Sequence, residues 1–265
     1  MPKLIQSPRD FVYPSEDFQQ FWFTLRTKQD LIPRGLHDPM SIRSFTISRY
    51  LVRSLSIILL TAVALAYGTS RTMLPVPATD ISTFVAKGKQ TAVLSGGCFW
   101  GMEAVFEHLK GVSDVVSGFS GGSAPTAHYE VVSSGGTGHA ESVKITYDPS
   151  QISYAQLLKI YFLVAHDPTQ LNRQEPDWGT QYRSVIFFAN DEQKRVAQAY
   201  IDQLNKAHLF RKPIVTQLVP LNGFYAAEEY HQHFIDRNPN YPYVVVNDLP
   251  KLDQLREQFP DMYKK

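Results

Sequence analysis

The sequence predicts an α+β fold: an α/β two-layer sandwich on a ferredoxin-like split βαβ core, with extra helices and long loops. Two observations predict it. Over residues 91–247, short apolar runs and amphipathic segments follow the order strand, helix, strand, strand, helix, strand, then helix and strand. The composition, 43% hydrophobic and 19% charged, is that of a soluble globular protein. Because such a topology carries no chemistry of its own, function must be read from individual residues.

The first strand and helix are predicted from an apolar run, two glycines and a helical repeat. Residues 92–95 are apolar and end at Gly96-Gly97, which is typical of a buried strand. Apolar residues then recur at helical spacing from Met102 to Leu109, and Gly111 stands where the helix should end. The helix is therefore expected to begin at Cys98.

A long loop separates the next two predicted strands. Residues 112–118 form the second strand, and a segment rich in glycine and serine then runs to Glu141. Loops of this length inside a compact domain are usually functional or disordered. Residues 143–147 alternate apolar and polar side chains before Asp148-Pro149, which indicates the third strand and a turn.

The second half of the domain is predicted from two helix caps and two further strands. Ser153 and Gln156 fit a capping box at the start of a helix that runs to Ala165. Asn190 is expected to cap the next helix. The remaining elements are strands over 184–189 and 214–218 and a short helix over 226–237.

The N-terminal part resembles an export signal. No residue between Ser54 and Ser70 is charged, and Arg43, Arg49 and Arg53 precede this stretch. We expect residues 40–68 to be a secretory signal peptide or an uncleaved signal anchor, which places the protein in the periplasm or on the outer side of a membrane. Without that signal the protein is cytoplasmic.

The predicted signal also sets the expected domain boundaries. Because signal peptides begin at the N-terminus, we expect translation to start at Met40, so that the extension 1–39 is not translated. Residues 69–90 are expected to be a linker, 91–247 the catalytic domain and 248–265 a C-terminal tail.

Charge, cysteine and histidine content exclude several classes of function. Lys plus Arg (26) nearly balances Asp plus Glu (25), which gives no indication of a nucleic-acid partner, and we expect a monomer. One cysteine permits no intramolecular disulfide and no zinc site with two or more thiolates. The histidines lack metal-ligand spacing, and we expect no metal. No nucleotide-binding fingerprint is present, and we expect no bound cofactor.

Cys98, the only cysteine, follows two glycines at the expected start of a helix. A lone cysteine is most often a small buried hydrophobic residue. At a helix start, however, unpaired N–H groups and the helix dipole favour the thiolate, the nucleophilic form. The neighbouring Phe99 and Trp100 either pack in the core or line an apolar cup suited to a methyl or thioether group.

Six sequence blocks around this cysteine resemble one known family. They are Gly97-Cys98-Phe99-Trp100-Gly101-Met102-Glu103, Gly136-Thr137-Gly138-His139-Ala140-Glu141, Tyr147-Asp148-Pro149, His166-Asp167-Pro168, Gly179-Thr180-Gln181-Tyr182-Arg183-Ser184 and Phe224-Tyr225-Ala226-Ala227-Glu228-Glu229-Tyr230-His231-Gln232. In this order they are similar to the peptide methionine sulfoxide reductase A family, over roughly residues 90 to 240.

The resemblance implies a role for each matching position. Cys98 matches the nucleophile that attacks the sulfoxide sulfur and becomes a sulfenic acid. Phe99 and Trp100 match the aromatic residues that hold the substrate methyl group. Glu141 matches the acid that protonates the sulfoxide oxygen. Without the resemblance, the better interpretation of Glu141 is an ordinary solvated glutamate at a strand start.

Three further positions are implied in the same way. Tyr129 and Tyr182 match phenols that hydrogen-bond the sulfoxide oxygen, and Asp177 matches a supporting carboxylate. Taken alone, the two tyrosines could be core residues and Asp177 a turn residue.

The resemblance implies thiol-dependent reduction of methionine-S-sulfoxide, both in oxidised proteins and as the free amino acid. Many relatives carry further cysteines near the C-terminus, and this chain has none. Its sulfenic acid must then be reduced by an external thiol such as thioredoxin, glutaredoxin or glutathione. Two alternatives stay open: a one-cysteine thiol peroxidase, and a non-catalytic module that binds methionine-rich proteins.

Overall fold

The computed structural model describes residues 74–81 and 88–264. The expected extension (1–39), the signal segment (40–68) and part of the linker (69–90) lie outside the described residues. The expectations about them stay predictions. Within the described ranges, every helix is too short or too polar to cross a membrane.

Eight strands and six α-helices make up the described domain. The strands are β1 (Gln90–Ser95), β2 (Val112–Ser120), β3 (Ala140–Tyr147), β4 (Arg173–Gln174), β5 (Asp177–Trp178), β6 (Val185–Phe188), β7 (Gln217–Pro220) and β8 (Tyr225–Ala226). The α-helices are α1 (Phe99–Glu107), α2 (Tyr129–Val132), α3 (Tyr154–Ile160), α4 (Asp191–Lys206), α5 (Phe234–Arg237) and α6 (Leu249–Gln258).

The sheet has the ferredoxin-like strand order at its centre. Strands β6, β1, β3 and β2 lie side by side and are all antiparallel to their neighbours. Helix α1 connects β1 to β2, and α3 lies between β3 and β6 along the chain. Strand β7 adds parallel to β6 at one edge, and β8 pairs antiparallel with β2 at the other. The predicted α+β class and split βαβ core are confirmed.

Helices cover one face of this sheet. Helix α1 packs on β2 and β3, and α4 packs on β6 and β7. In β1, Leu94 joins the large core formed with the helices, whereas Val93 joins a smaller cluster with Val185 and Phe187 on the opposite face. Adjacent residues face opposite sides because side chains alternate along a strand.

The two predicted helix caps are present. Ser153 Oγ accepts the N–H of Gln156 at 3.2 Å, and Gln156 Oε1 accepts the N–H of Ser153 at 2.8 Å, which completes the capping box. Asn190 Oδ1 accepts the N–H of Gln193 at 2.9 Å at the start of α4. Local sequence thus fixes where α3 and α4 begin.

The helix predicted over 226–237 is wrong. The segment instead holds β8, a 3₁₀ turn at Glu229–His231 and α5. The Gln232 amide accepts from Ser117 N at 2.9 Å and donates to Ser117 O at 3.0 Å, so it pairs with a backbone group of β2. His233 has φ 49, in the left-handed region, which interrupts a helix at that residue.

Two other elements differ from the sequence expectation. The strand expected over 214–218 is β7, which begins three residues later than expected and extends to Pro220. Within the expected tail, α6 buries Leu255 completely. The helical pattern of α6 in the sequence is weak, because Leu255 is the only buried residue of this helix and leaves little periodicity to detect.

Candidate active site

Cys98 lies between β1 and α1, where the chain turns sharply. Gly97 has φ 93, a backbone conformation that residues other than glycine adopt only at a cost in free energy. A Cβ at Gly97 would also lie 2.6 Å from Cγ of Gln174. The glycine therefore allows both the turn and the close approach of the β4 segment. Cys98 is the N-cap residue of α1, and the residue is partly exposed although its thiol is largely desolvated.

Glu141 is buried next to the first turn of α1. It lies in β3 and is 2% exposed, and its Oε2 accepts the N–H of Phe99 at 3.0 Å. Burial is the main cause that raises the pKa of Glu141, to about 8; the Phe99 N–H opposes the rise and Asp177 adds to it. At neutral pH this carboxyl is mostly protonated, which is the state a proton donor needs.

Cys98 rests as a thiol, which corrects the expectation of a stabilised thiolate. Burial raises the pKa of Cys98 well above its ordinary value, and the carboxyls of Glu141, Asp248 and Asp177 raise it further. The Trp100 backbone N–H lowers the pKa, but by less. The helix start does supply an N–H group, as predicted, yet desolvation and three nearby acids outweigh it.

The two predicted phenols come from separate loops and face the same acids. Tyr129 begins α2, and Tyr182 ends the 3₁₀ turn Thr180–Tyr182. Burial, followed by Glu141, raises the pKa of both hydroxyls. Both therefore stay protonated at neutral pH and can donate a hydrogen bond.

Asp177 has a partner that the sequence analysis missed. The Tyr243 hydroxyl donates a hydrogen bond to Asp177 Oδ2. Burial raises the pKa of Asp177, while the Tyr243 hydroxyl and Lys251 lower it. No local pattern signals Tyr243, since its contact with Asp177 joins segments 66 residues apart.

Trp100 is held on several sides. Its ring stacks on Phe234 with centroids 3.6 Å apart and planes 6° apart, and the rings of Tyr241 and Tyr243 meet it edge-on. Its Nε1 donates to His231 Nδ1 at 3.2 Å. Phe99 is 1% exposed, and its ring lies 6.5 Å from that of Tyr129. Of the two aromatic residues predicted to form a cup, Phe99 therefore packs near the phenol of Tyr129, and Trp100 is enclosed by other aromatic rings.

The loops that carry these side chains are joined to one another. Arg183 donates to the carbonyls of His139 at 3.0 Å and Gly138 at 2.9 Å, which ties the turn of Tyr182 to the start of β3. Gln181 Nε2 donates to Ser133 O at 3.1 Å, just after α2. Glu228 Oε1 accepts the N–H of Tyr129 at 3.0 Å.

Two of the described histidines, His139 and His233, bond to nearby protein groups. His139 Nδ1 accepts the N–H of Gly122 at 3.2 Å and so orders the loop after β2. One cluster does have metal-ligand character: atoms of Glu103, Glu107 and His233 lie within 4.8 Å of one another. In this cluster His233 Nδ1 contacts Glu107 Oε1 at 2.6 Å, and the backbone N–H of His233 donates to Glu103 Oε2 at 3.0 Å. The three residues therefore bond to one another.

The chain matches a known family along this whole domain. Residues 90–263 match the family model described as peptide methionine sulfoxide reductase. The chain belongs to the peptide methionine sulfoxide reductase family. As a member of that family it is a thiol-dependent oxidoreductase that acts on methionine sulfoxide.

Curated relatives and solved structures agree with this membership. Peptide methionine sulfoxide reductase MsrA 2 of Mesorhizobium japonicum is 60% identical over 178 residues, covering 67% of this chain and 91% of the relative. The protein of the same name from Synechocystis is 55% identical over 194 residues, 72% of this chain and 91% of its own. Reduced Mxr1 of Saccharomyces cerevisiae superposes with a TM-score of 0.53 at 31% identity, over 64% of this chain and 94% of Mxr1.

The buried carboxyl of Glu141 predicts a pH-dependent stability difference between this reductase and its Glu141→Gln variant. The pKa of Glu141 is 4.5 in an unfolded chain and about 8 here. Between these values the folded chain holds a proton that the unfolded chain releases, so native stability falls as pH rises. Relative to the native chain, the variant should gain up to about 1.4 kcal/mol per pH unit across this interval.

Urea unfolding at pH 5 and pH 8 measures this difference. Glu257→Gln provides the matched control, because it makes the same substitution at an exposed position of α6. A Glu141→Gln variant whose relative stability is the same at pH 5 and pH 8 would show that the carboxyl is not protonated at neutral pH.

Proposed function

We propose that the chain reduces the S epimer of methionine sulfoxide to methionine by transferring the oxygen to Cys98. One observation carries the proposal: the Cys98 thiol lies close enough to a buried carboxyl, Glu141, to interact with it electrostatically, and the pKa of that carboxyl is about 8. A sulfoxide is attacked at sulfur and keeps its negative charge on oxygen. Displacement therefore needs a nearby proton donor, and an exposed glutamate is ionised at neutral pH.

In the first step Cys98 and Glu141 act together on the sulfoxide. The Cys98 sulfur forms a bond to the sulfoxide sulfur as Glu141 protonates the sulfoxide oxygen. The oxygen then passes to Cys98, the thioether leaves as methionine, and the Cys98 thiol becomes a sulfenic acid. The proton that the thiol loses replaces the one that Glu141 gives, so the step consumes and releases no net proton.

Tyr129 and Tyr182 are proposed to bind the oxygen during this step. Both hydroxyls stay protonated, and both are close enough to Glu141 for its charge to raise their pKa. Two fixed O–H donors stabilise negative charge on the oxygen without reorganising. Asp177 accepts a hydrogen bond from the Tyr243 hydroxyl, and it is proposed to keep the part of the site around the phenols polar and ordered.

The substrate methyl group is proposed to lie against Phe99 and Trp100, which form the apolar side of the site. Protein-bound methionine sulfoxide is also proposed as a substrate, alongside the free amino acid. Its support is a set of exposed apolar side chains next to site residues: Val131 near Tyr129, Trp178 after Asp177, and Tyr230 before His231. An extended peptide can contact such a surface.

An external thiol is proposed to regenerate the enzyme, since the chain has no second cysteine. The thiol attacks the sulfenic sulfur, releases water and leaves a mixed disulfide on Cys98. A second thiol then frees Cys98 and departs as the oxidised disulfide. Thioredoxin, glutaredoxin and glutathione all fit this chemistry.

A single-turnover assay without reductant tests the first step. The native chain should release one methionine per active site from the S epimer, and Cys98→Ser should release none. Glu141→Gln should slow this release by about 10²- to 10⁴-fold, because the proton is needed in the transition state. Its substrate affinity should change little.

The same assay separates the alternatives. A one-cysteine peroxidase would oxidise Cys98 quickly with hydrogen peroxide and release no methionine from the sulfoxide. A module that only binds methionine-rich proteins would release none either, and its binding would survive Cys98→Ser. Release by Glu141→Gln at the native rate would remove Glu141 from the proposed role.

Regeneration by an external thiol predicts a mixed disulfide on Cys98 that mass spectrometry can detect. After one turnover with the S epimer, addition of glutathione should produce a Cys98–glutathione disulfide, visible by mass spectrometry as an adduct absent from Cys98→Ser. A thioredoxin lacking its second cysteine should likewise be trapped as a covalent complex. If neither thiol forms an adduct while multiple turnovers continue, direct attack on Cys98 is wrong.

We also propose that residues 40–68 direct export, with translation starting at Met40. The support is the uncharged stretch after three arginines, with no acidic residue between Met40 and Asp80. N-terminal sequencing of the protein from its native host should find a mature chain that begins after residue 40. A mature chain that retains residues 1–39 would contradict this proposal.

A further inference from the structure

His231 has no role in the proposed reaction, yet it is buried among the residues of the site. It is 2% exposed. Its ring lies 4.3 Å from that of Tyr129 and 5.0 Å from that of Phe99, centroid to centroid. Its Nδ1 accepts the indole N–H of Trp100 at 3.2 Å. It therefore contacts both aromatic residues of the cup and one phenol.

The hydrogen bond fixes the protonation state of the imidazole. An indole nitrogen can only donate, so His231 Nδ1 must present a lone pair and the ring must be neutral with its proton on Nε2. Burial agrees with this state, since it lowers the pKa of His231 to about 4. The acceptor is consequently available to Trp100 throughout the neutral pH range.

The contacts of Trp100 restrain different motions of its ring. Stacking on Phe234 prevents the indole from tilting, because the planes are 6° apart at a centroid distance of 3.6 Å. Stacked rings can still turn or slide in their common plane. A directional bond at Nε1 removes that freedom, since hydrogen bonds weaken when their angle departs from linear.

We propose that His231 is a positioning residue that sets the in-plane orientation of Trp100 and thereby the fit of the cup to a methyl group. The inference rests on the proposed function, in which Trp100 holds the substrate methyl. It also gives the block Glu228-Glu229-Tyr230-His231-Gln232 a role: Glu228 fixes the Tyr129 backbone, Gln232 anchors the segment to β2, and His231 orients Trp100.

A double-mutant cycle with Trp100 tests this assignment. His231→Phe keeps an aromatic ring but removes the acceptor, and it should lower kcat/KM for methionine-S-sulfoxide about tenfold. In a Trp100→Phe background no indole N–H exists, so adding His231→Phe should cost less than about twofold. His231→Asn, whose amide oxygen can take the place of Nδ1, should keep activity within about threefold of the native chain.

Substrate size provides a second readout that a merely structural role would not change. The native enzyme should prefer methionine sulfoxide to ethionine sulfoxide, which carries one more methylene, and His231→Phe should reduce this preference several-fold. Thermal unfolding of each variant checks that it is folded before kinetics are compared.

Three outcomes overturn the proposal. They are an equal loss from His231→Phe with and without Trp100, a His231→Asn variant as impaired as His231→Phe, and an unchanged preference between the two sulfoxides. Any of these would leave the single-turnover release by the native chain intact, so failure here is distinct from failure of the proposed reaction.

Discussion

The candidate active site depends on one contact: the carboxyl of Glu141 buried against the first N–H of α1. That contact joins β3, where Glu141 pairs with β2, to the helix that begins after Cys98. The Phe99 N–H is too weak a partner to keep the carboxyl ionised, so burial prevails and the acid stays protonated. Every other site residue is arranged around that neutral acid, with the phenols beside it and the aromatic residues flanking the sulfur.

Burying several carboxyl groups close together requires a rigid surrounding structure, because a buried carboxyl that ionises costs free energy. The chain provides this structure with side chains that bind backbone groups of other loops. Arg183 and Gln181 tie the Tyr182 turn to the segments of Glu141 and Tyr129, while Glu228 and Gln232 tie the last site segment to α2 and β2. In this chain the sequence blocks that resemble the family thus carry these ties as well as the proposed reacting groups.

Local patterns were enough to predict the strand and helix order, the caps at Ser153 and Asn190, and the position of Cys98 at a helix start. The resemblance then identified the side chains that the structure brings together. What failed was non-local. The expectation of a thiolate took account of the helix start but not of the acids on distant segments. The helix expected over 226–237 does not form, because Gln232 hydrogen-bonds to β2. Tyr243 and the anchoring of Trp100 by His231 also depend on contacts more than sixty residues apart along the chain.

The C-terminal segment bears on the proposal that an external thiol regenerates Cys98. Here Val244 is fully buried, and Asp248 and Lys251 fill the space that a side chain at Gly101 would need. Tyr243 binds Asp177, and α6 buries Leu255. A segment packed in this way forms one wall of the site and contributes no cysteine, which agrees with the proposal that an external thiol regenerates Cys98.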